Sequence, residues 1–303
     1  MHPSYLKKGD TVGIVAPARK ITKEEIQPSL DLIQNWGLKI VSGKNLYHQQ
    51  DQFSGSDAER LSDMQSMLDD TSVKAIFCAR GGYGTLRIID GLNFSKFKKQ
   101  PKWIVGYSDI TVLHSHIHSN FGMETLHATM PINFLKNEEA TETLRKTLFG
   151  EDLSYSLESH PLNRIGKAEG KVVGGNLSLI YALAGSRSDI DTKGQLLFIE
   201  DLDEYLYHID RMMISLKRAG KLDKLAGLIV GSMTEMKDNT VPFGKTAEKI
   251  IFDAVKEYKY PVCFNFPAGH VDKNMPLFLG RRSNLEVAPD KVIFSQDSLS
   301  ADN

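Results

Sequence analysis

The sequence predicts an α/β protein built on a parallel sheet with helices on both faces, closing with a group of short antiparallel strands. Three observations predict it. Continuous apolar runs such as TVGIVA, KAIFCA and KWIVG recur along the chain. Longer segments of helical period separate them. Near the end the runs shorten and no helix lies between them. A strand apolar at every position is covered on both faces, and strand–helix alternation connects parallel neighbours.

Each element has its own signal. TVGIVA, Thr11 to Ala16, reads as a buried strand stopped by Pro17. Thr22 and Glu25 then carry the spacing of a capping box, although Pro28 places the start of the helix proper near itself. That helix ends around Gly37, and LKIVSG follows as a second strand. Ser56 and Glu59 repeat the capping spacing, and Leu61, Met64, Met67 and Leu68 share one helical face. KAIFCA is a strand that runs into the Gly-rich turn of ARGGYGTLRIID and a helix. KWIVG is another, followed by the helix of YSDITVLHSHIHSN.

From about Phe149 to Gly170 the periodicity fades, which makes residues 149–170 a linker between a domain over 1–148 and a second over 171–303. Beyond it, GGNLSLIYALAG reads as a turn and helix, QLLFIED as a strand and EYLYHIDRMMISLKRAGKL as a strongly periodic helix. LAGLIVG is a strand, TAEKIIFDAVKEY a helix and PVCFNF a strand. LFLG, LEVA and KVIFS are the short closing strands, and the polar tail SQDSLSADN is expected to fray.

Composition narrows the function classes. The 303 residues suit one large or two ordinary domains. With 41% hydrophobic and 25% charged residues, the chain has ordinary globular composition. Lys and Arg total 37 against 38 Asp and Glu, so no net field draws it to nucleic acid or to an acidic membrane. Cys78 and Cys263 lie far apart in apolar runs and read as small buried hydrophobes. The opening MHPSYLKKGDTVGIVA has no long apolar stretch before a small-residue cleavage site, so no signal peptide is expected. No run approaches the ~18 apolar residues of a membrane helix. These features together point to a reducing cytoplasm.

WIVGYSDIT places a hydroxyl, Ser108, directly after a buried strand. In a doubly wound sheet ligands bind beyond the carboxyl ends of the strands, where a helix N-terminus favours anions. A serine raised on a sharp strand-to-helix turn there has the geometry of a nucleophile elbow, though GYSDI lacks the second glycine of that motif. On this stretch alone, a simple helix-capping role for Ser108 stays open.

Other reactive residues fall at comparable places. Glu200 ends the strand LLFIE, and His270 follows PVCFNF in the stretch NFPAGH. Serine needs a base to take its proton. Histidine titrates near ~6.5, and a carboxylate fixes its tautomer and stabilises its charged form. Asp201 and Asp203, in the same acidic run EDLDE, compete with Glu200. Arg80-Gly81-Gly82-Tyr83-Gly84 follows KAIFCA, and the backbone N–H groups of Gly82 and Asp109 would make an oxyanion hole. GGYG has neither the spacing of a dinucleotide fingerprint nor that of a P-loop.

Taken in order, LKKGDTVGIVAPA, ARGGYGTLRII, VGYSDITVLH, VVGGNLSLI, FIEDLDEYLYHIDRM, GLIVGSM and FPAGH resemble the LD-carboxypeptidases, or murein tetrapeptide carboxypeptidases. Relatives of that family include the microcin C self-immunity peptidases. The resemblance covers almost the whole chain, although 135–169 carries no matching block. It implies a flavodoxin-like N-terminal domain, a smaller mixed α/β C-terminal domain, a site between them and commonly a dimer. It implies a serine peptidase without metal or cofactor, with Ser108 as nucleophile, Glu200 as acid and His270 as base. The oxyanion hole maps to Gly82 and Asp109. The implied reaction removes the terminal D-Ala from a cytoplasmic murein tetrapeptide.

A carboxypeptidase must also hold a free carboxylate. Arg80 is the first candidate, and the pair Arg281-Arg282 the second. His114 and His118 share a helical face with His116 between them, but no HExxH or nearby acid supports a metal site. Tyr205, Tyr207 and His208 line the cleft or a domain interface, while Met212 and Met213 belong to the core. Two alternative functions differ in class. One is a hydrolase of peptidyl-nucleotide antibiotics with the same triad, and the other a non-catalytic binder of a phosphorylated or carboxylated small molecule.

Overall fold

A computed structural model describes residues 2–296 and contains two sheets. The strands are β1 (Thr11–Val15), β2 (Lys39–Ser42), β3 (Val73–Cys78), β4 (Trp103–Gly106), β5 (Thr125–His127), β6 (Leu153–Glu158) and β7 (Gly166–Asn176). They continue with β8 (Leu196–Leu202), β9 (Gly227–Thr234), β10 (Val262–Cys263), β11 (Leu277–Leu279), β12 (Arg282–Val287) and β13 (Lys291–Gln296). The helices are α1 (Lys23–Asn35), α2 (Asp57–Asp69), α3 (Thr85–Ile88), α4 (Ser95–Lys99), α5 (Thr111–Phe121), α6 (Glu138–Leu148), α7 (Leu177–Leu183), α8 (Leu206–Arg218) and α9 (Ala247–Val255).

The first sheet has the order β11-β5-β4-β3-β1-β2. Its first five strands in the chain run parallel, giving the 2-1-3-4-5 order of a flavodoxin-like sheet. Both faces are covered: Ala75 and Phe77 of β3 join one core cluster, and Ile76 and Cys78 another. That two-sided burial is why these strands are apolar at every position. The second sheet has the order β10-β9-β8-β7-β12-β13-β6. Its half from β10 to β7 is parallel, and its half from β7 to β6 antiparallel. Helices α7, α8 and α9 pack their apolar faces on the parallel half, with Met212 and Met213 fully buried.

Both capping boxes form. Thr22 and Ser56 accept from the backbone N–H three residues on, and Glu25 and Glu59 reach back to the cap N–H. α1 starts at Lys23, so Pro28 lies inside the helix rather than at its start. There it removes the N–H bond to the carbonyl of Glu24 and crowds that carbonyl with its ring.

Residues 149–170 are not a simple connection. They contain β6 and the first part of β7, which pair with the closing strands β13 and β12. β6 alternates buried Leu153 and Tyr155 with exposed Ser154 and Ser156. A half-solvated strand of that kind carries small polar residues at every second position and reads like a loop. The polar tail also starts later than expected, because Ser295 and Gln296 end β13, and Gln296 is buried against Phe278. The rest of the expected tail lies outside the described residues. β11 joins the first sheet, antiparallel to β5, so the last part of the chain closes the edge of the first sheet. Cys78 and Cys263 are free and buried, and burial pushes both thiols up in pKa. Among the described residues no helix is long and apolar enough to cross a membrane.

Candidate active site

Ser108 sits on a 3-10 turn between β4 and α5 with φ of 63°, the left-handed region that costs a non-glycine residue roughly 1–3 kcal/mol. Gly106 makes the turn possible, since a Cβ there would lie 2.9 Å from Ile110 and 3.3 Å from Cys78. The turn has no side-chain cap, so the Ser108 hydroxyl is not spent on the helix. It donates to His270 Nε2 at 3.0 Å. His270 Nδ1 in turn donates to Glu200 Oε2 at 2.6 Å. The three residues, widely separated in the chain, thus form one hydrogen-bonded row at the carboxyl ends of β4 and β8 and the turn after β10.

Glu200 is fully buried. Two glycines give it room: a Cβ on Gly231 would lie 2.4 Å from the Ala268 carbonyl, and one on Gly269 2.8 Å from Glu200 Oε2. His270 has only 12% of its side chain exposed, and the Tyr107 ring packs edge-on against it at 4.9 Å. Burial pushes the imidazole pKa down, but the Glu200 charge and hydrogen bond outweigh it, so the net shift is upward. Burial also lifts the Tyr107 phenol to about 12. Asp201 points away from the row. It bonds Asn176 Nδ2, Ser178 N and Leu202 N, and burial beside Glu200 lifts it to about 7. Asp203 is half-exposed and pairs with Lys237.

Ser108 and His270 open into a cleft of about 520 Å³. Gly81, Gly82 and Arg80 line it, as do Arg19, Asn133 and Lys136, which the sequence did not single out. Gly81 packs closely on the serine, where a Cβ would lie 3.1 Å from Ser108 Cβ. Gly82 has φ of 113°. Among the described residues neither the Gly82 nor the Asp109 N–H has an acceptor. The Asp109 carboxylate accepts from Thr85 N at 2.8 Å, tying the serine turn to the end of the Gly-rich loop. Arg80 NH1 lies 3.4 Å from the Lys20 carbonyl and 3.5 Å from Glu25, both weak contacts.

The second arginine candidates are elsewhere. Arg281 is buried, pairs with Glu124 at 2.7 Å and stacks on Phe278, and Arg282 pairs with Glu169 on the surface. Both already have carboxylate partners, and neither lines the cleft. His114 bonds the Gly106 carbonyl and His116 bonds Ser188, while burial pushes His118 down to about 4. Tyr205 and Tyr207 pack against each other with tilted rings, are 40% exposed and do not line the cleft.

The LD-carboxypeptidase N-terminal domain model matches residues 12–128, and the LD-carboxypeptidase C-terminal domain model matches 169–285. A probable murein peptide carboxypeptidase of Bacillus subtilis (strain 168) is 39% identical over 301 residues, covering 96% of this chain and 93% of the relative. The crystal structure of muramoyltetrapeptide carboxypeptidase from Oxalobacter formigenes superposes with a TM-score of 0.85 at 24% identity, covering 95% of this chain and 99% of that one. The microcin C7 self immunity protein MccF in its wild-type apo state gives 0.87 at 21%, covering 99% and 100%. These last two establish a shared fold. With both family domains matched in order and a curated relative aligned nearly end to end, the chain belongs to the LD-carboxypeptidase family and is a serine-type peptidase.

Proposed function

We propose that the protein removes the terminal D-Ala from murein tetrapeptides at an L,D bond, through an acyl-enzyme on Ser108. The observation that carries this reading is the Ser108–His270–Glu200 row, at 3.0 and 2.6 Å, in a chain of this family. His270 Nε2 takes the hydroxyl proton as Ser108 Oγ attacks the scissile carbonyl. Glu200 holds Nδ1–H and stabilises the imidazolium that forms. The free N–H groups of Gly82 and Asp109 receive the developing oxyanion. His270 then returns the proton to the departing amine of D-Ala. Water, activated by the same imidazole, cleaves the ester and restores Ser108.

Arg80, at the rim of the cleft, binds the free carboxylate of the leaving residue. A charge-assisted bond of this kind is worth roughly 1.5–3 kcal/mol, so Arg80→Gln lowers kcat/KM by about 10- to 100-fold. Steady-state kinetics on the tetrapeptide check it, and a change under about threefold would remove Arg80 from this role.

The reaction serves recycling of murein peptides in the cytoplasm, and the enzyme works as a homodimer without metal or cofactor. Mass spectrometry of a murein tetrapeptide digest is the direct test. The expected product is the tripeptide, one alanine lighter, formed equally well in EDTA. Intact tetrapeptide beside cleavage of a peptidyl-nucleotide would replace this substrate with the other. Binding without turnover of either would make the protein a binder.

A further inference from the structure

Asp201, Asn176 and Thr111 are all buried and polar, and none touches the cleft. Thr111 begins α5, and its N–H bonds the Ser108 carbonyl. Its Oγ1 accepts from Asn176 N at 3.0 Å, across the boundary between the two sheets. Asn176 ends β7, and its Nδ2 donates to Asp201 Oδ1 at 2.9 Å. Asp201 follows Glu200 on β8, and successive strand side chains leave opposite faces. Glu200 therefore meets His270 while Asp201 meets Asn176.

These bonds close a circuit. One half is Ser108, His270 and Glu200. The other half is Asp201, Asn176 and Thr111, returning to the Ser108 carbonyl. The contact at Thr111 is close: a Cβ on Gly175, which has φ of 136°, would lie 2.6 Å from Thr111 Oγ1. Only a glycine lets β7 approach the first turn of α5 so nearly. The GGN of the sequence is thus the point where the sheet bearing Glu200 is registered against the helix behind Ser108.

We infer that Thr111 is a positioning residue that, with Asn176 and Asp201, sets the separation across which Ser108 and His270 exchange their proton. Two rigid sheets supply the partners, and a tenth-nanometre error in such a pair costs roughly 10²-fold in rate. The inference rests on Ser108 and His270 acting as nucleophile and base.

Thr111→Val keeps the shape of the side chain and deletes the acceptor, and Thr111→Ser keeps the acceptor. Two readouts are taken on full-length protein: tetrapeptide kinetics, and the rate at which a fluorophosphonate labels Ser108. Labelling reads the Ser–His couple whatever the natural substrate is. Thr111→Val is expected to lower kcat and the labelling rate together, by roughly 10- to 100-fold, with KM within about threefold. Thr111→Ser is expected to restore both to within about threefold of wild type. A folded Thr111→Val that labels at the wild-type rate overturns the inference, as does a loss confined to KM or a folded Thr111→Ser that restores neither. Should Thr111→Val fail to fold, Asn176→Ala, which deletes the donor to Asp201 and keeps every charge, decides in its place: slower labelling supports the circuit, and an unchanged rate overturns it. A wild type that labels at Ser108 but leaves the tetrapeptide intact refutes the murein reading alone. One that does not label at Ser108 refutes both.

Discussion

Ser108→Ala is expected to abolish tripeptide formation, lowering kcat by at least about 10⁴-fold, while the melting temperature hardly moves. The two halves of this expectation have separate causes. In the proposed mechanism, removing Oγ removes the atom that forms the ester, and neither His270 nor the N–H groups of Gly82 and Asp109 can replace it. The remaining rate is what binding and the oxyanion hole provide on their own. Folding loses only one hydrogen bond, to His270 at 3.0 Å, in a partly exposed position, a net effect of about 1 kcal/mol. The backbone strain at φ of 63° is the same for alanine as for serine. Ser108→Gly is equally inactive but relieves that strain, and is expected to be the more stable of the two variants by about 1 kcal/mol. Alanine release and thermal melts on the three proteins check this. A Ser108→Ala protein retaining more than about a hundredth of the wild-type rate would remove Ser108 from the role of nucleophile.

The parts of this site that were legible in the sequence are those encoded locally. The run WIVG followed by GYSD marks a buried strand delivering a hydroxyl to a turn, and both capping boxes follow from four-residue spacings. Glu200 was legible because it ends an apolar run and His270 because it follows one, and apolar runs fix where carboxyl strand ends lie. Their assembly into one row with Ser108 was not in the residues themselves. It depends on how two sheets abut, and only the family resemblance anticipated it.

Two of the misreadings share one physical origin, which is long-range pairing. β6 and the first half of β7 are half-solvated strands whose partners lie more than a hundred residues away, so their alternation looked like a loop. Arg281-Arg282 looked like a free cationic pair, yet Glu124, 157 residues away in sequence, takes the first of them. Asp201 competed with Glu200 because adjacent acids look alike in a charge run. The strand's two faces separate them, one toward the imidazole and the other toward Asn176. Arg19 and Lys136 left no signal at all, since a cleft lining is set by the gap between elements rather than by any local pattern.

Glu200→Gln separates the electrostatic role of the acid from its role as a spacer. As the proposed base, His270 works only when neutral, so kcat/KM is expected to fall as acid protonates it. Burial alone would favour the neutral ring and move that limb below the ordinary ~6.5. Glu200 overrides burial and raises the pKa, with smaller contributions in the same direction from Asp201 and Glu235. The neutral rings of Tyr107 and His127 also lie close by, and the latter's pKa is driven well down by its own burial. The wild-type limb is therefore expected above ~6.5. Glutamine removes the largest raising influence and leaves the burial in place, so the limb should move down. The plateau rate should fall by about 10²- to 10⁴-fold, because an amide can present N–H to Nδ1, favour the wrong tautomer and leave the imidazolium unsupported. The variant is thus slower at every pH yet relatively more tolerant of acid. Damage to the fold alone would lower the plateau without moving the limb. Rate profiles between pH 5 and 9 (a range of about four units around the histidine value) at constant ionic strength decide the matter. A limb that stays in place in Glu200→Gln would mean that another group holds the proton His270 is assigned here.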